Sequence, residues 1–362
     1  METSLSSQSS DKQPFNEGLS RDLDAPVGLD RELLAMAREG KLTGIRRTRL
    51  DLVEDWLDNG LTAEDTCKRL SAYNQSVILA VLEAHAELYP WLRECTFLEF
   101  GSGGREEQVI GSDQDNGLLM RIDPDEDELD EATQSIVVAL DGAGLILCDG
   151  GVMISNEEWR GDFDEWLARL TRWLSNPAEK GSWQSGLILD FQAVFGPRHD
   201  VQLLRDRLWE YVRTKPIAVS LLINELTDYR LPLTMFGAFI SEKSGQWQGH
   251  LNIKNSILAH LTNSARILAL KYDLSPSNTC DRVRLLAKAG HISAKHGERL
   301  LDAWEYLQRK RLQIGLDCDR EGIPPHNYVN PTTLDKSEKA RLKASIQAVE
   351  KLVRLVQAGT GL

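Results

Sequence analysis

Between Cys95 and Ile122 the chain reads Cys-Thr-Phe-Leu-Glu-Phe, then a glycine-rich stretch from Gly101 to Gly111, then Ser-Asp-Gln-Asp-Asn and a second apolar run. This segment narrows the fold more than any other. The first six residues predict a strand, the glycines a loop opening into a short helix, and 114–122 a second strand. Asp113 and Asp115 stand two residues apart at the start of that second strand, so the period of 2 sends both carboxylates to one face. Two close like charges are costly unless a cation lies between them. Mg²⁺ accepts such a pair, with its remaining positions left to water and phosphate oxygens. Gly101 and Gly103 let the backbone approach a phosphate closely, and N–H groups at a helix start point at an anion. The spacing of 11 residues from Ser102 to Asp113 sets the two halves of such a site on neighbouring strands.

Around this segment the pattern divides the 362 residues into four parts. Residues 1–27 are polar and poor in apolar positions, and are expected to be disordered. Residues 28–90 predict helices: Leu50, Val53, Trp56 and Leu57 recur at helical spacing, Asn59-Gly60 ends that run, and Thr62-Ala-Glu-Asp65 opens the next. Residues 91–200 are mixed. Helices are expected over 128–140 and 163–174, strands over 144–154 and 186–194, and a solvated loop over the acidic run Asp123 to Asp130. From 201 to 362 strands give way to helices, over 201–214, 216–228, 254–272, 279–290, 293–315 and 337–357.

Several function classes are disfavoured. The net charge is -13, from 42 basic and 55 acidic residues, which opposes general nucleic-acid binding but not one nucleotide held through metal ions. No apolar run approaches the roughly 20 residues of a membrane span, and no secretory leader pattern opens the chain. The five cysteines are odd in number and lack Cys-x-x-Cys spacing, which predicts free thiols in a cytoplasmic protein.

Gly101-Ser102 followed by Asp113-x-Asp115 resembles the signature of the DNA polymerase beta nucleotidyltransferase superfamily. The fuller stretch from Gly101 to Gln108, then Ser112 to Asn116, is similar to a bacterial nucleotidyltransferase family often fused to CBS and cyclic-nucleotide-binding domains and related to the PII-protein uridylyltransferase. Further matches run through Cys148 to Met153, Asn156, Trp159-Arg160, Leu189 to Phe191, Ile253-Lys254, Ala265-Arg266 and Thr279 with Arg282. The resemblance covers roughly residues 40 to 357. It departs at Gln192, where many relatives have Arg, and at Asn252, where they often have Asp.

The resemblance implies an α+β fold: a polymerase-beta-like nucleotidyltransferase core with N-terminal helices and a C-terminal helical domain. It implies transfer of a nucleoside monophosphate from an NTP to an acceptor, by analogy a regulatory protein, with pyrophosphate released and Mg²⁺ or Mn²⁺ as cofactor. Asp113 and Asp115 would hold the metal, with a third carboxylate from a later strand. Asp190 is the candidate, because a carboxylate inside Leu-Ile-Leu-Asp-Phe is costly to bury without a metal or a base. Gly101, Ser102 and Gly103 would grip phosphates. Arg105 would touch phosphate or brace the site, and Lys254 and Arg266, 12 residues apart on one expected helix, would reach the nucleotide across a cleft. Trp159, Trp166 and Trp173 recur every seven residues, which suits packing on the sheet rather than base stacking. None of the seven histidines is assigned to catalysis or zinc. The alternatives are a non-catalytic nucleotide-binding signalling module and transfer onto a small molecule. Base preference and oligomeric state are not encoded in any motif.

Overall fold

The computed structural model describes residues 28–176, 187–227 and 231–358; the disorder expected for 1–27 and the strand start expected at Gly186 lie outside them. Helices α1 (Arg31–Arg38), α2 (Ile45–Asp58) and α3 (Ala63–Leu88) come first. The Thr62 hydroxyl caps α3 by accepting the Asp65 N–H at 3.0 Å, as the sequence signal predicts. Strand β1 (Cys95–Phe100) runs into the one-turn helix α4 (Gly101–Gly104), followed by β2 (Asn116–Met120), α5 (Glu126–Gly142), β3 (Arg160–Gly161), α6 (Phe163–Ser175) and β4 (Phe191–Phe195). The sheet order is β3-β2-β1-β4. The central strand β1 is antiparallel to β2 and β4, and β2 is parallel to β3.

Each face of this sheet meets a different core. Cys95, Phe97 and Leu118 pack with Val77, Ile78 and Val81 of α3 and with Ile136 and Leu140 of α5. Leu98, Phe100 and Leu119 point the other way, toward Trp159, Trp166, Trp173 and Phe191, as strand alternation requires. The three tryptophans are fully buried, and Trp166 donates its ring N–H to the Leu118 carbonyl at 3.0 Å. Packing is therefore their role, although Trp159 precedes α6 in a short 3-10 turn rather than sharing its face.

The remaining helices are α7 (His199–Thr214), α8 (Pro216–Thr227), α9 (Ala259–Lys271), α10 (Thr279–Lys288), α11 (Ala294–Glu321) and α12 (Lys336–Ala358), with a two-residue strand pair, β5 (Leu251–Asn252) and β6 (Tyr328–Val329). No described helix is long and apolar enough to cross a membrane.

Four expectations are corrected. Residues 144–154 form no regular strand: Gly144 and Gly151 adopt positive φ, and only Ile146 makes a bridge, to Asp113. The strand expected over 186–194 begins at Phe191, because the Asp190 N–H turns back to the Leu187 carbonyl at 3.1 Å. The acidic run opens α5, with the Asp125 carboxylate as its N-cap. The helix expected over 254–272 starts with a π turn, Lys254–Leu258, before α9. The extra residue in that turn changes the angular relation between Lys254 and Arg266.

Candidate active site

Four residues, Asp113 to Asn116, show how extended backbone builds the site. Gln114 and Asn116 face α5: the Gln114 amide donates to the carbonyls of Leu145 (2.8 Å) and Val137 (3.2 Å), and the Asn116 side-chain oxygen accepts the Ile154 N–H at 2.8 Å. Asp113 and Asp115 take the opposite face. Their oxygens and the Cys148 sulfur lie within 4.8 Å of one another, a grouping able to hold a metal ion. Asp115 is only 9% exposed, and its Oδ1 has no hydrogen-bond partner among the described residues. Burial, and next the Asp113 charge, push the Asp115 carboxyl up to about 7.

Burial also pushes the Cys148 thiol up to about 12, so it stays protonated, and sulfur is a poor donor to a hard cation. The two carboxylates are the hard donors here. Lys254, from the π turn, places Nζ 3.8 Å from Asp113 Oδ1.

The glycine loop meets this pair edge-on. Phe100 donates its N–H to the Asp115 carbonyl at 2.7 Å, and Gly101 donates to the Asp190 carbonyl at 3.0 Å. Gly101 has φ +58, and a Cβ there would lie 2.7 Å from Asp115 Oδ2, so glycine is required twice over. Gly103 covers the Glu99 carboxylate so closely that a Cβ would fall 2.2 Å from it. Ser102 lies half-buried between them. Gln192, where relatives often carry Arg, donates to the Gly103 carbonyl at 2.8 Å and so braces the same loop from β4. Asn252, the other departure, accepts the Asn255 N–H at 3.0 Å and caps the π turn.

Asp190 is not brought into the group formed by Asp113, Asp115 and Cys148. Fully buried, it accepts from three guanidinium groups: Arg105 NH1 at 3.1 Å, Arg266 Nε at 3.1 Å and NH2 at 2.6 Å, and Arg282 NH2 at 2.6 Å. Burial opposes its charge, but the Arg266, Arg282 and Arg105 guanidinium groups together hold its carboxyl well below the usual range. Arg105 is thus a brace in this arrangement, bonded also to Glu107 at 2.8 Å. Glu107 in turn accepts the Thr279 N–H at 2.6 Å, so the loop after the glycines is pinned to the start of α10. Arg266 and Lys254 engage different carboxylates, Asp190 and Asp113.

Two participants were not picked out as site residues from sequence. Arg282 carries no motif of its own, and its NH1 is buried without a partner among the described residues. Glu99 did leave a signal, as an acid inside an otherwise apolar strand. It is 3% exposed, accepts from the amides of Gln75 (3.2 Å) and Gln108 (3.1 Å), and is pushed up to about 8 by burial.

Two family models match the chain. The one described as putative nucleotidyltransferase DUF294 spans residues 47–180, which includes the glycine loop, Asp113 and Asp115. The one described as a putative nucleotidyltransferase substrate binding domain spans 216–359, which includes Lys254, Arg266 and Arg282. No curated protein matches the chain.

Proposed function

Since the chain belongs to the nucleotidyltransferase family whose two models span it, we propose that it moves a nucleoside monophosphate from an NTP to an acceptor, with pyrophosphate released. In the reaction an acceptor hydroxyl oxygen bonds to the α-phosphorus while the bond from that phosphorus to its bridging oxygen breaks. Asp113 and Asp115 would hold Mg²⁺ or Mn²⁺. The observation that carries this assignment is the buried, unpartnered Asp115 Oδ1 beside a second carboxylate, since a buried anionic oxygen left bare is costly unless a cation completes it. The bound metal would order the triphosphate and lower the pKa of the attacking hydroxyl.

The protein's own residues supply position. Gly101, Ser102 and Gly103 bring backbone up to the phosphates beside Asp115. Lys254 pairs with Asp113 at 3.8 Å and would release that carboxylate where a metal is held. Asp190 gathers Arg105, Arg266 and Arg282 at the junction of core and helices. We read 91–200 as the transferring core and 201–362 as the helical partner that closes over the nucleotide, with a regulatory protein as the acceptor.

The test is titration of the full chain with each NTP, with and without Mg²⁺, beside an Asp113→Asn/Asp115→Asn variant. Metal-dependent binding of one NTP that is lost in the variant supports the site, and labelled transfer from that NTP onto a co-purified acceptor completes it. Binding without transfer to protein or small-molecule acceptors would favour a nucleotide-sensing module. Equal binding by wild type and variant would remove the metal site.

A further inference from the structure

Helix α11 turns one face to the loop that carries Asp113. Gly315 is pressed so close to that loop that a Cβ would fall 2.6 Å from the Ile110 side chain. Gln308 donates to the Glu107 carbonyl at 3.5 Å. Arg311 lies between these two contacts on the same face, since residues three and four apart are neighbours on a helix. It is 7% exposed. Its Nε donates to Asn327 Oδ1 at 2.7 Å and its NH1 to Gln308 Oε1 at 2.8 Å. Both partners are neutral. The buried guanidinium groups of Arg266 and Arg282, by contrast, close on Asp190, whereas no carboxylate pairs with Arg311 among the described residues. Its third nitrogen, NH2, has no partner among the described residues and keeps contact with solvent.

The two bonded nitrogens set where the third one points. The guanidinium is planar with its N–H groups in a fixed fork, so NH2, which shares one edge with Nε and another with NH1, emerges between Asn327 and Gln308. The Asn327 carbonyl accepts the Ile253 N–H at 2.9 Å, which anchors it beside Lys254, whose Nζ lies 3.8 Å from Asp113. Gln308 is tied to the segment that runs from Glu107 to Asp113. The two anchoring segments therefore meet at Asp113. Burial lowers the guanidinium to about 10, so it stays charged at neutrality, with the Cys67 thiol and then Asp113 opposing the shift. Burial keeps the Cys67 thiol protonated, so Asp113 is the foremost charge acting on Arg311. A nearly buried cation with only neutral partners is costly, and an oxyanion at NH2 would complete it through a charge-assisted hydrogen bond.

We propose that Arg311 is a triphosphate-binding residue, its NH2 donating to a phosphate oxygen of the metal-bound nucleotide. It would act as a fixed second cation beside Lys254. Because Nε and NH1 are already held, the remaining N–H offers one direction, which suits a phosphate that the metal has placed. The assignment rests on the reading of Asp113 and Asp115 as the metal ligands of a nucleotide site.

The experiment is calorimetric titration of the full chain with Mg²⁺ and inorganic tripolyphosphate, a probe that requires no base preference, with thermal unfolding followed in parallel. Asn327→Asp is the deciding variant. It keeps the shape and the acceptor on Arg311 Nε, and it gives the guanidinium an internal counter-charge. Tripolyphosphate binding should weaken at least about tenfold, the scale of a lost charge-assisted bond, while the melting temperature holds or rises. Arg311→Gln should weaken binding to the same extent, and Arg311→Lys should fall between. A packing role alone would reverse the pattern, with the melting temperature shifted and the affinity unchanged. The proposal is overturned if Asn327→Asp, or a folded Arg311→Gln, binds tripolyphosphate as well as wild type. If the wild type binds neither tripolyphosphate nor any NTP with Mg²⁺, this assignment and the transferase reading fall together. Binding that depends on Asp113 and Asp115 but not on Arg311 or Asn327 overturns this assignment alone. Binding that survives Asp113→Asn/Asp115→Asn yet is lost in Asn327→Asp upholds Arg311 as an anion ligand and fails the metal reading.

Discussion

Asp190→Asn separates two roles that one carboxylate can have. In the structure its two oxygens are shared among Arg105, Arg266 and Arg282, and both it and the last two arginines are almost wholly buried. The amide keeps the shape, removes the charge and turns one acceptor into a donor that faces a guanidinium. Removing one partner of a buried ion pair costs about 3–5 kcal/mol, because the other charge is left uncompensated. Here three cations lose their anion, with only Glu107 remaining, on Arg105. On the scale of roughly 2–4 °C per kcal/mol for domains of ordinary size, the melting temperature should fall by about 6–20 °C. The sign with pH is fixed by the depressed carboxyl. The stabilisation is present above the unfolded value near 4 and is lost as pH falls through the lower folded value. The gap between wild type and variant should therefore be flat from pH 5 to 8 and narrow only in strong acid. Adding Arg282→Met to Asp190→Asn should recover part of the loss. A variant that melts with wild type but no longer binds Mg²⁺ would refute the clasp and make Asp190 a metal ligand.

Three further outcomes follow from the same geometry. Gly101→Ala, with its Cβ aimed at Asp115 Oδ2 from a left-handed backbone, should cost about 1–3 kcal/mol and weaken metal-dependent NTP binding more than tenfold; unchanged binding would mean that Asp115 can move aside freely. Glu99 is raised to about 8 by burial, so its share of stability is complete below its unfolded value near 4.3 and is lost as pH rises through 8. Melting at pH 5, 7 and 9 should show a decline, on the order of a few kcal/mol, that Glu99→Gln flattens; equal slopes would assign the decline elsewhere. Cys148→Ser should leave Mg²⁺ affinity within about threefold, because the thiol is protonated and soft, and a loss beyond tenfold in an Mg²⁺ titration would bring Cys148 into the site.

What was legible in the sequence was what is local. Asp113-Gln-Asp-Asn encodes its own alternation, so the facing carboxylates and the structural amides can be read from four residues. Gly101 announces itself by its place between a strand and a helix, and Thr62 by its place before Asp65. The pairing of Asp190 was not legible. Arg105, Arg266 and Arg282 stand 85, 76 and 92 residues away from it, and an apolar run around an acid signals only that some cation must meet it. The single-residue excess in the π turn at Lys254–Leu258 was equally hidden, because helical periodicity tolerates one such slip.

Asp115 and Asp190 are the same residue type, both buried, each just before a strand that flanks β1, β2 and β4 respectively, and their environments drive them in opposite directions. Burial, and next the Asp113 charge, raise the Asp115 carboxyl to about 7. Asp190 faces three cations, so its carboxyl is depressed. Divergent shifts on neighbouring acids separate roles. The depressed acid has its partners already and serves the architecture at the seam between core and helices. The raised acid keeps one oxygen, Oδ1, without a hydrogen-bond partner among the described residues, and near neutrality a divalent cation bound there would compete with a proton for it. Metal binding should therefore release protons from Asp115 and strengthen as pH rises through 7. In the proposed site a metal held by Asp113 and Asp115 would offset the charge of the triphosphate it binds. Mg²⁺ and NTP should consequently bind with positive coupling, and by reciprocity each should tighten the other by the same factor.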